Sequence, residues 1–236
     1  MPRRRFRPGW PLTLATLCAL AMLLALGTWQ VRRLAWKTDL IAAIETRGAA
    51  APLTVEAALA DPVASEFRHA SARGRYRHDL AIAMGTVAEA GELGSRLVTP
   101  LQLADGRLLL VERGWLPERL LPPGVPTDIE PAGDVEVSGV VRWHGGDRAG
   151  LFTPANQPQR RRWFWYDMPA LAAELDSALE PLVLVADGTG DRGLPRPLPV
   201  RADLPNNHLG YAITWYGLAA ALLAVYVAFG LRRGGE

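Results

Sequence analysis

The 236-residue chain is 49% hydrophobic and nearly balanced in charge, with 26 Lys and Arg against 24 Asp and Glu. Its basic pI of about 9.0 comes from six arginines near the two ends; without them and Glu236, 20 basic residues face 23 acidic ones. This distribution disfavours a nucleic-acid partner, because the interior of the chain has no basic excess. The single cysteine, Cys18, excludes a disulfide framework, and it disfavours thiolate copper delivery and covalent haem attachment through paired cysteines.

Residues 10–28 form the first predicted element, a membrane-spanning helix that follows a basic tail at residues 1–9. The segment has no charged side chain and is close to the roughly 20 residues needed to cross a hydrocarbon core of about 30 Å. A cleaved signal peptide is the alternative, since arginines precede the segment and Ala19-Leu20-Ala21 resembles a cleavage site. We favour an uncleaved anchor, because apolar sequence continues to Leu26 and Trp29 then follows where an interfacial anchor belongs.

The helical pattern continues beyond the membrane segment to about Thr46. Trp29 and Trp36 are seven residues apart and Arg33 follows Trp29 by one turn, so the three side chains share a face of the helix. Such a face is typical of an aromatic belt with arginines that reach lipid phosphates. It also suits a clamp for an anionic ligand, because haem propionates lie at such depths and pair with arginine. The residues alone leave both interpretations open.

Residues 29–207 are predicted to form one extracytoplasmic, β-rich domain with one or two helices. Thr54 is predicted to cap a short helix that runs to Ala60 and is ended by Pro62. Alternating or β-rich runs predict strands at residues 75–87, 96–103, 107–115, 135–143, 162–167 and 182–187. Ala104-Asp105-Gly106 predicts a hairpin between the second and third of these strands. The predicted fold class is therefore α+β, with an antiparallel sheet between two membrane helices in the sequence.

One further helix is predicted near residue 169. Pro169 suits the first turn of a helix, and Leu171, Leu175 and Leu179 fall four residues apart on one face. This amphipathic segment is expected to cover part of the sheet.

Catalytic and nucleotide-binding motifs are not indicated. Residues 188–193 match G-x-G-x-x-G, but the proline-rich residues 194–199 cannot form the helix that carries the phosphate in that motif. No recognisable arrangement activates a Ser or Cys nucleophile. Zinc-site spacing is also lacking among the four histidines, His69, His78, His144 and His208. We therefore expect a protein that is not an enzyme and binds no metal through a protein zinc site.

Residues 208–230 form the second predicted membrane helix, followed by a short tail at residues 231–236. Asn206 or Asn207 is placed to cap it, so His208 lies in the first turn, where the helix dipole favours the neutral imidazole that binds metal. An ionisable residue at the mouth of a span is costly unless it has a partner. The residues leave open a hydrogen-bonded interfacial histidine and a metal ligand.

Two faces of this second helix differ in character. Tyr211 and Trp215 continue the face of His208 with helical spacing. An adjacent face carries a stripe of small residues, Thr214, Gly217, Ala221 and Ala224. We expect another helix to approach closely at this stripe, with a matching small surface on the first span at Ala15 and Ala19.

Charge flanking the two spans predicts the topology. Arginines precede the first span and follow the second, which places both termini in the cytoplasm by the positive-inside rule. Residues 29–207 then lie outside. Because no mitochondrial transit peptide precedes Trp10, we expect a bacterial inner membrane and a periplasmic domain.

A series of short motifs runs along nearly the whole chain: Leu26-Gly27-Thr28-Trp29-Gln30 with Arg33 and Trp36-Lys37, Arg73-Gly74-Arg75-Tyr76, Val98-Thr99-Pro100-Leu101, Arg113-Gly114-Trp115-Leu116-Pro117, Phe152-Thr153-Pro154-Ala155-Asn156, and Asn207-His208-Leu209 with Tyr211 and Thr214-Trp215-Tyr216-Gly217-Leu218. In this order, with the first and last at the two spans, they resemble the surfeit-locus-one family of cytochrome oxidase assembly proteins. One departure is Glu112, where the family commonly has Asn before Arg-Gly.

The resemblance implies a two-span membrane protein that assists biogenesis of the haem-copper oxidase catalytic subunit. Bacterial members look like binders of haem a, which implies His208 as the axial ligand of the haem iron and Arg33 as a partner of a propionate. The other cofactor-binding residues implied are Trp29, Trp36, Tyr211 and Trp215. The implied partners are oxidase subunit I, other oxidase assembly factors and membrane lipid. The alternative is a membrane scaffold that stabilises the nascent oxidase subunit without binding haem.

Overall fold

The structure is a computed structural model, which describes residues 8–122, 125, 129–188, 193–200, 202 and 204–233. Most of the glycine motif, at residues 189–192, and the basic residues 1–7 lie outside the described residues. The chain forms two compact units, one made of the chain up to residue 42 and from residue 203, the other of residues 43–202. The helices are α1 (Trp10–Gly48), α2 (Val55–Ala60), α3 (Pro62–Ser65), α4 (Met168–Glu174) and α5 (His208–Arg233). The strands are β1 (Leu53–Thr54), β2 (His69–Tyr76), β3 (Ile82–Glu89), β4 (Glu92–Gln102), β5 (Leu108–Pro117), β6 (Asp134–Trp143), β7 (Arg162–Trp163) and β8 (Leu179–Ala186).

The two terminal helices are long and apolar enough to cross a membrane. α1 has 39 residues and α5 has 26, whereas a span needs roughly 20. As predicted, α1 continues past its apolar segment without a break, and it ends two residues beyond Thr46. These helices fit a membrane protein with one span near each end of the chain.

α1 and α5 pack as an antiparallel pair. The amide of Gln30 on α1 contacts the imidazole of His208 at the start of α5. Towards the other end of the pair, the hydroxyl groups of Thr13 and Tyr226 are 2.8 Å apart. The early part of α1 therefore lies beside the late part of α5, and polar contacts fix the register at both ends.

The contact between the two helices does not use the predicted stripe of small residues. α5 instead buries Ala212 and Ala219, seven residues apart, while a Cβ on Gly217 would meet nothing within 4 Å. On α1, Gly27 permits the close approach, because a Cβ there would lie 2.8 Å from the ring of Tyr216. The prediction was wrong because Ala212 and Ala219 lie two positions before Thr214 and Ala221, about 160° away around the helix, so the stripe faces away from the closest contact with α1. The exposed residues of the stripe are Thr214, Gly217, Ala221 and Ala224.

The eight strands formed by the described residues belong to one sheet with the order β1-β2-β6-β8-β5-β4-β3-β7. β2 also pairs with β4, through Arg75 with Gln102 and Tyr76 with Leu101, so β2, β6, β8, β5 and β4 form a closed ring. Most pairs are antiparallel, whereas β5–β8, β1–β2 and β3–β7 are parallel. The predicted class, a β-rich domain between two apolar helices in the sequence, is confirmed.

The predicted hairpin between β4 and β5 is confirmed. Its turn is closed by the amide of Gly106, which donates to the carbonyl of Leu103 at 2.9 Å. Gly106 has a φ of +87°, a conformation that glycine adopts without Cβ strain. The carboxylate of Asp105 accepts a hydrogen bond from the amide of Arg107 at 3.1 Å, which further fixes the turn.

The predicted short helix after Thr54 is also confirmed, with one addition. The hydroxyl of Thr54 accepts a hydrogen bond from the amide of Ala57 at 3.3 Å, and α2 ends at Ala60. Pro62 does not simply end this helix; it begins α3. Asp61 caps α3 by accepting a hydrogen bond from the amide of Ala64 at 3.1 Å.

Residues 75–87 do not form the single strand that the sequence predicted. β2 ends at Tyr76, a 3₁₀ turn follows at His78–Leu80, and β3 begins at Ile82. Arg77 and Asp79 form a local ion pair of 2.7 Å beside this turn. The alternation of apolar residues carries no information on such a local ion pair, so the sequence pattern predicted one strand where the structure has two.

The last two predicted elements are shorter than expected. The strand at residues 162–167 is confined to β7, which pairs with β3. α4 ends at Glu174, because Asp176 adopts a left-handed conformation with a φ of 45° just beyond the helix. Leu179, predicted on the helix face, is instead the first residue of β8.

Candidate functional site

His208 is the first residue of α5, as predicted, and lies in the seam of the helix pair. The amide of Tyr211 donates to the carbonyl of Asn207 at 3.4 Å, which closes the first turn. The segment before the helix is tied to α1 by the ammonium group of Lys37, which donates to the carbonyl of Pro205. His208 is therefore held at a defined position at one end of the seam.

Gln30 is the hydrogen-bond partner of His208, and the sequence did not identify it as one. Its amide oxygen is 2.7 Å from Nδ1 of His208, and only 8% of Gln30 is exposed. When the imidazole is neutral, the amide oxygen in this orientation accepts the proton of Nδ1, and Nε2 then presents an unprotonated lone pair. A neutral imidazole held in one tautomer by a second group is the usual arrangement of a metal-binding histidine.

Two aromatic residues and one arginine of α1 lie beside this pair. The ring of Trp29 approaches the ring of His208 edge-on, with centroids 6.4 Å apart. The guanidinium carbon of Arg33 lies 3.8 Å from the ring centroid of Trp36, a cation–π contact. Trp29 and Trp36 are 55% and 50% exposed, so this side of α1 is open. The structure thus brings Trp29 to His208 and Arg33 to Trp36.

Tyr211 and Trp215 lie on the same side of α5 as His208, but neither ring has a hydrogen bond or ring contact with it in the described part of the chain. Tyr211 is 57% exposed and Trp215 is partly buried. Both are therefore neighbours of the imidazole along the helix and do not hold it in place.

Further hydrogen bonds continue along the seam. The hydroxyl groups of Thr28 and Tyr216 are 3.1 Å apart, two residues before Gln30 on α1 and eight residues after His208 on α5. Such bonds between membrane helices typically contribute about 0.6 kcal/mol each. This contact between Thr28 and Tyr216 lies in the same seam but does not reach the imidazole, which is fixed by Gln30.

A second polar cluster lies in the β-rich unit, and no sequence motif indicated it. The carboxylate of Glu112 on β5 accepts from Nε of Arg96 at 3.0 Å and from the hydroxyl of Tyr166 at 3.2 Å. Burial raises the pKa of Glu112, and the positive charge of Arg96 opposes this rise. Burial likewise raises the pKa of Tyr166 well above its ordinary value. The tyrosine therefore stays neutral and donates to the carboxyl group.

The same cluster continues through His144 to the edge of a cavity of about 480 Å³. The ring of His144 lies over that of Tyr166, with centroids 4.1 Å apart, and its Nδ1 is 2.7 Å from the carboxylate of Asp147. Burial lowers the pKa of His144, although Asp147 opposes this change. Arg142 on the cavity wall is in turn paired with Glu66 at 3.3 Å. Each charged group named here has a partner within the cluster.

The chain is similar to known proteins along most of its length. The model of the SURF1 family matches residues 17–220. A SURF1-like protein of Monosiga brevicollis is 34% identical over 223 residues, which cover 89% of this chain and 84% of that protein. Surfeit locus protein 1 of Xenopus tropicalis is 33% identical over 84% of this chain and 68% of its own length. The human protein of the same name is 32% identical over 83% of this chain and 70% of its own.

Proposed function

The chain belongs to the SURF1 family, and from this membership we propose that it is a membrane-anchored, non-enzymatic assembly factor for a haem-copper oxidase. In this proposal it holds haem a transiently at His208 and aids insertion of the haem into the catalytic subunit. The single observation that carries the haem site is the hydrogen bond from Nδ1 of His208 to Gln30, which leaves Nε2 with a free lone pair.

The residues around His208 fit a haem group. Nε2 of a neutral imidazole is the atom that would bind haem iron. The bound iron would serve to attach the haem to the protein and would take part in no reaction there. Trp29 and Tyr211 offer exposed aromatic surface beside the imidazole. If His208 were the single protein ligand of the iron, release to an acceptor subunit would require breaking one bond to the protein. This suits a carrier better than a permanent holder.

Arg33 is suited to hold a propionate. Its guanidinium group is stacked on Trp36 and forms no ion pair among the residues that the structure describes. Stacking leaves the N–H groups at the rim of the guanidinium free to bind a carboxylate in a bidentate manner. Arg33 is four residues from Trp29, so it lies one turn from the ring that touches His208.

We further propose the setting in which this carrier works. The arginines outside the two spans support cytoplasmic termini and a periplasmic β-rich domain in a bacterial inner membrane. The partners would be oxidase subunit I and other oxidase assembly factors. Thr214 and Gly217, in the exposed part of α5 outside the groove between the helices, offer a surface that another membrane helix can approach.

The test is haem retention by the full-length protein, purified in detergent from cells that do or do not synthesise haem a. Wild-type protein from the first cells should carry a haem absorption spectrum, and His208→Ala should lose it. His69→Ala is the matched control, because His69 is a partly exposed histidine in the β-rich unit, paired with Asp187 at 3.2 Å. Unchanged retention by H208A would refute the ligand assignment. Wild-type protein without absorption would favour the scaffold that binds only the nascent subunit.

A further inference from the structure

An apolar groove lies between α1 and α5 on one side of the helix pair. Its volume is about 470 Å³, and its lining residues are Ala19, Met22, Leu23, Leu218, Ala221, Leu222 and Val225. We propose that this groove holds the isoprenoid tail of the haem bound at His208, so that the protein selects haems that carry such a tail. This inference rests on the proposed function and assigns a specificity site to it.

The groove lies on the same side of the helix pair as the aromatic residues of the site. On α1, Met22 in the groove is seven residues before Trp29, and Trp36 is seven residues after it. On α5, Leu218 in the groove is seven residues after Tyr211. Positions seven apart lie nearly above one another on a helix. The groove therefore continues the open side of the haem site deeper into the span.

The distances along the helices fit one extended ligand. Leu218 is ten residues from His208 and Val225 is seventeen, so the groove extends from about 15 to about 25 Å beyond the imidazole along the axis of α5. A porphyrin ring bound at His208 would occupy the first part of this distance. A long isoprenoid substituent on its inward edge would occupy the second part, while Arg33 at the outward edge receives the propionates.

The shape of the groove is the reason to expect selectivity. Ala19 and Ala221 are small residues in a lining that otherwise has larger side chains such as Met22 and Leu218, so they make room for a chain of branched methyl groups. Lipid tails are as apolar as the groove, so the hydrophobic effect contributes little and packing must supply the preference. We therefore expect a moderate effect that depends on leaving this space open.

The experiment compares two haems that differ at the tail. Haem o carries a hydroxyethylfarnesyl group where haem b carries vinyl, and each is titrated into full-length protein in nanodiscs of one lipid composition. Ala221→Phe fills the groove and should weaken haem o binding about tenfold while haem b binding changes less than about twofold. The affinity of each variant is compared with that of wild type for the same haem, so that the different partition of the two haems into lipid cancels.

Two further variants make the result decisive. Ala19→Phe fills the same groove from α1 and should reproduce the loss for haem o. Ala220→Phe adds the same bulk at an exposed position of α5 outside the groove and should change neither haem. Equal loss of both haems in A221F and A19F, or no loss in either variant, would overturn the tail site and leave the groove to lipid. Wild type that binds neither haem would instead refute the proposed haem site.

Discussion

Polar side chains are buried in both units of the chain, but the two sites are completed differently. In the β-rich unit, Glu112 receives hydrogen bonds from Arg96 and Tyr166, and each neighbouring charge has its own partner. In the helix pair, Gln30 binds one ring nitrogen of His208, and the other nitrogen has no hydrogen bond among the described residues. A cluster in which every buried polar group has a hydrogen-bond partner stabilises the fold. A side chain that is held in place and still has one free lone pair is suited to bind a ligand.

The largest loss of haem affinity is expected when the hydrogen bond between Gln30 and His208 is removed from the helix pair. Gln30→Leu deletes the acceptor that fixes His208, so the imidazole can rotate and either ring nitrogen can carry the proton. Loss of such a supporting group typically lowers metal affinity by about 10- to 100-fold. Haem titration of the full-length variant measures this loss, and the position and width of the haem absorption band report any change of ligation.

Thr28→Val is the matched control for this prediction. It removes another hydrogen bond of the same seam, that to Tyr216, without touching His208. T28V should retain haem with the wild-type spectrum. If Q30L and T28V lower affinity equally, Gln30 acts through helix packing and not through the tautomer of His208.

The contrast between the two sites also explains what the sequence could predict. His208, Trp29 and Arg33 were identified because membrane-depth patterns and family motifs are local in the chain. Gln30 was not identified as a partner, because it lies 178 residues from His208 and only the packing of α1 on α5 brings them together. The cluster at Glu112 was missed for the same reason, since its members come from separate strands and a loop.

The fold shows a similar division. The β4–β5 hairpin and the cap at Thr54 were predicted correctly, because turn and cap chemistry depend on neighbouring residues. The closure of the ring between β2 and β4 and the parallel pairing of β5 with β8 could not be predicted from alternation. Strand partners are chosen by long-range packing, which a single sequence does not display.

A smaller effect, on the pH dependence of stability, is expected in the hydrogen-bonded cluster at Glu112. Burial raises the pKa of Glu112, so the folded state holds its proton more tightly than the unfolded state. The contribution of Glu112 to the stability of the β-rich unit should therefore fall as pH rises above about 4.5, by at most about 1.4 kcal/mol per pH unit for one proton. Glu112→Gln is always neutral and should lose this slope, so its stability relative to wild type should increase with pH. Denaturant unfolding followed by tryptophan fluorescence from pH 4 to 8 measures the difference.

Glu136→Gln controls for the loss of one carboxylate. Glu136 pairs with Arg73 at 2.9 Å, with both side chains more than half exposed. This variant should follow the wild-type pH profile. Parallel profiles for E112Q and wild type would show that the pKa of Glu112 is the same in the folded and unfolded states, so that the charge of Arg96 offsets the effect of burial.

The smallest effect is expected at the exposed rim of the proposed haem site, where solvent competes with every ion pair. Arg33→Gln removes the guanidinium that we propose binds a propionate and should weaken haem binding about fivefold, or about 1 kcal/mol. Arg32→Gln, an exposed neighbour on a different face of α1, should have no effect. The decisive comparison uses haem with both propionates esterified, for which R33Q and wild type should bind equally. An equal loss for free and esterified haem would mean that Arg33 acts by stacking on Trp36, and the open side of the seam would then recognise haem through its aromatic surface alone.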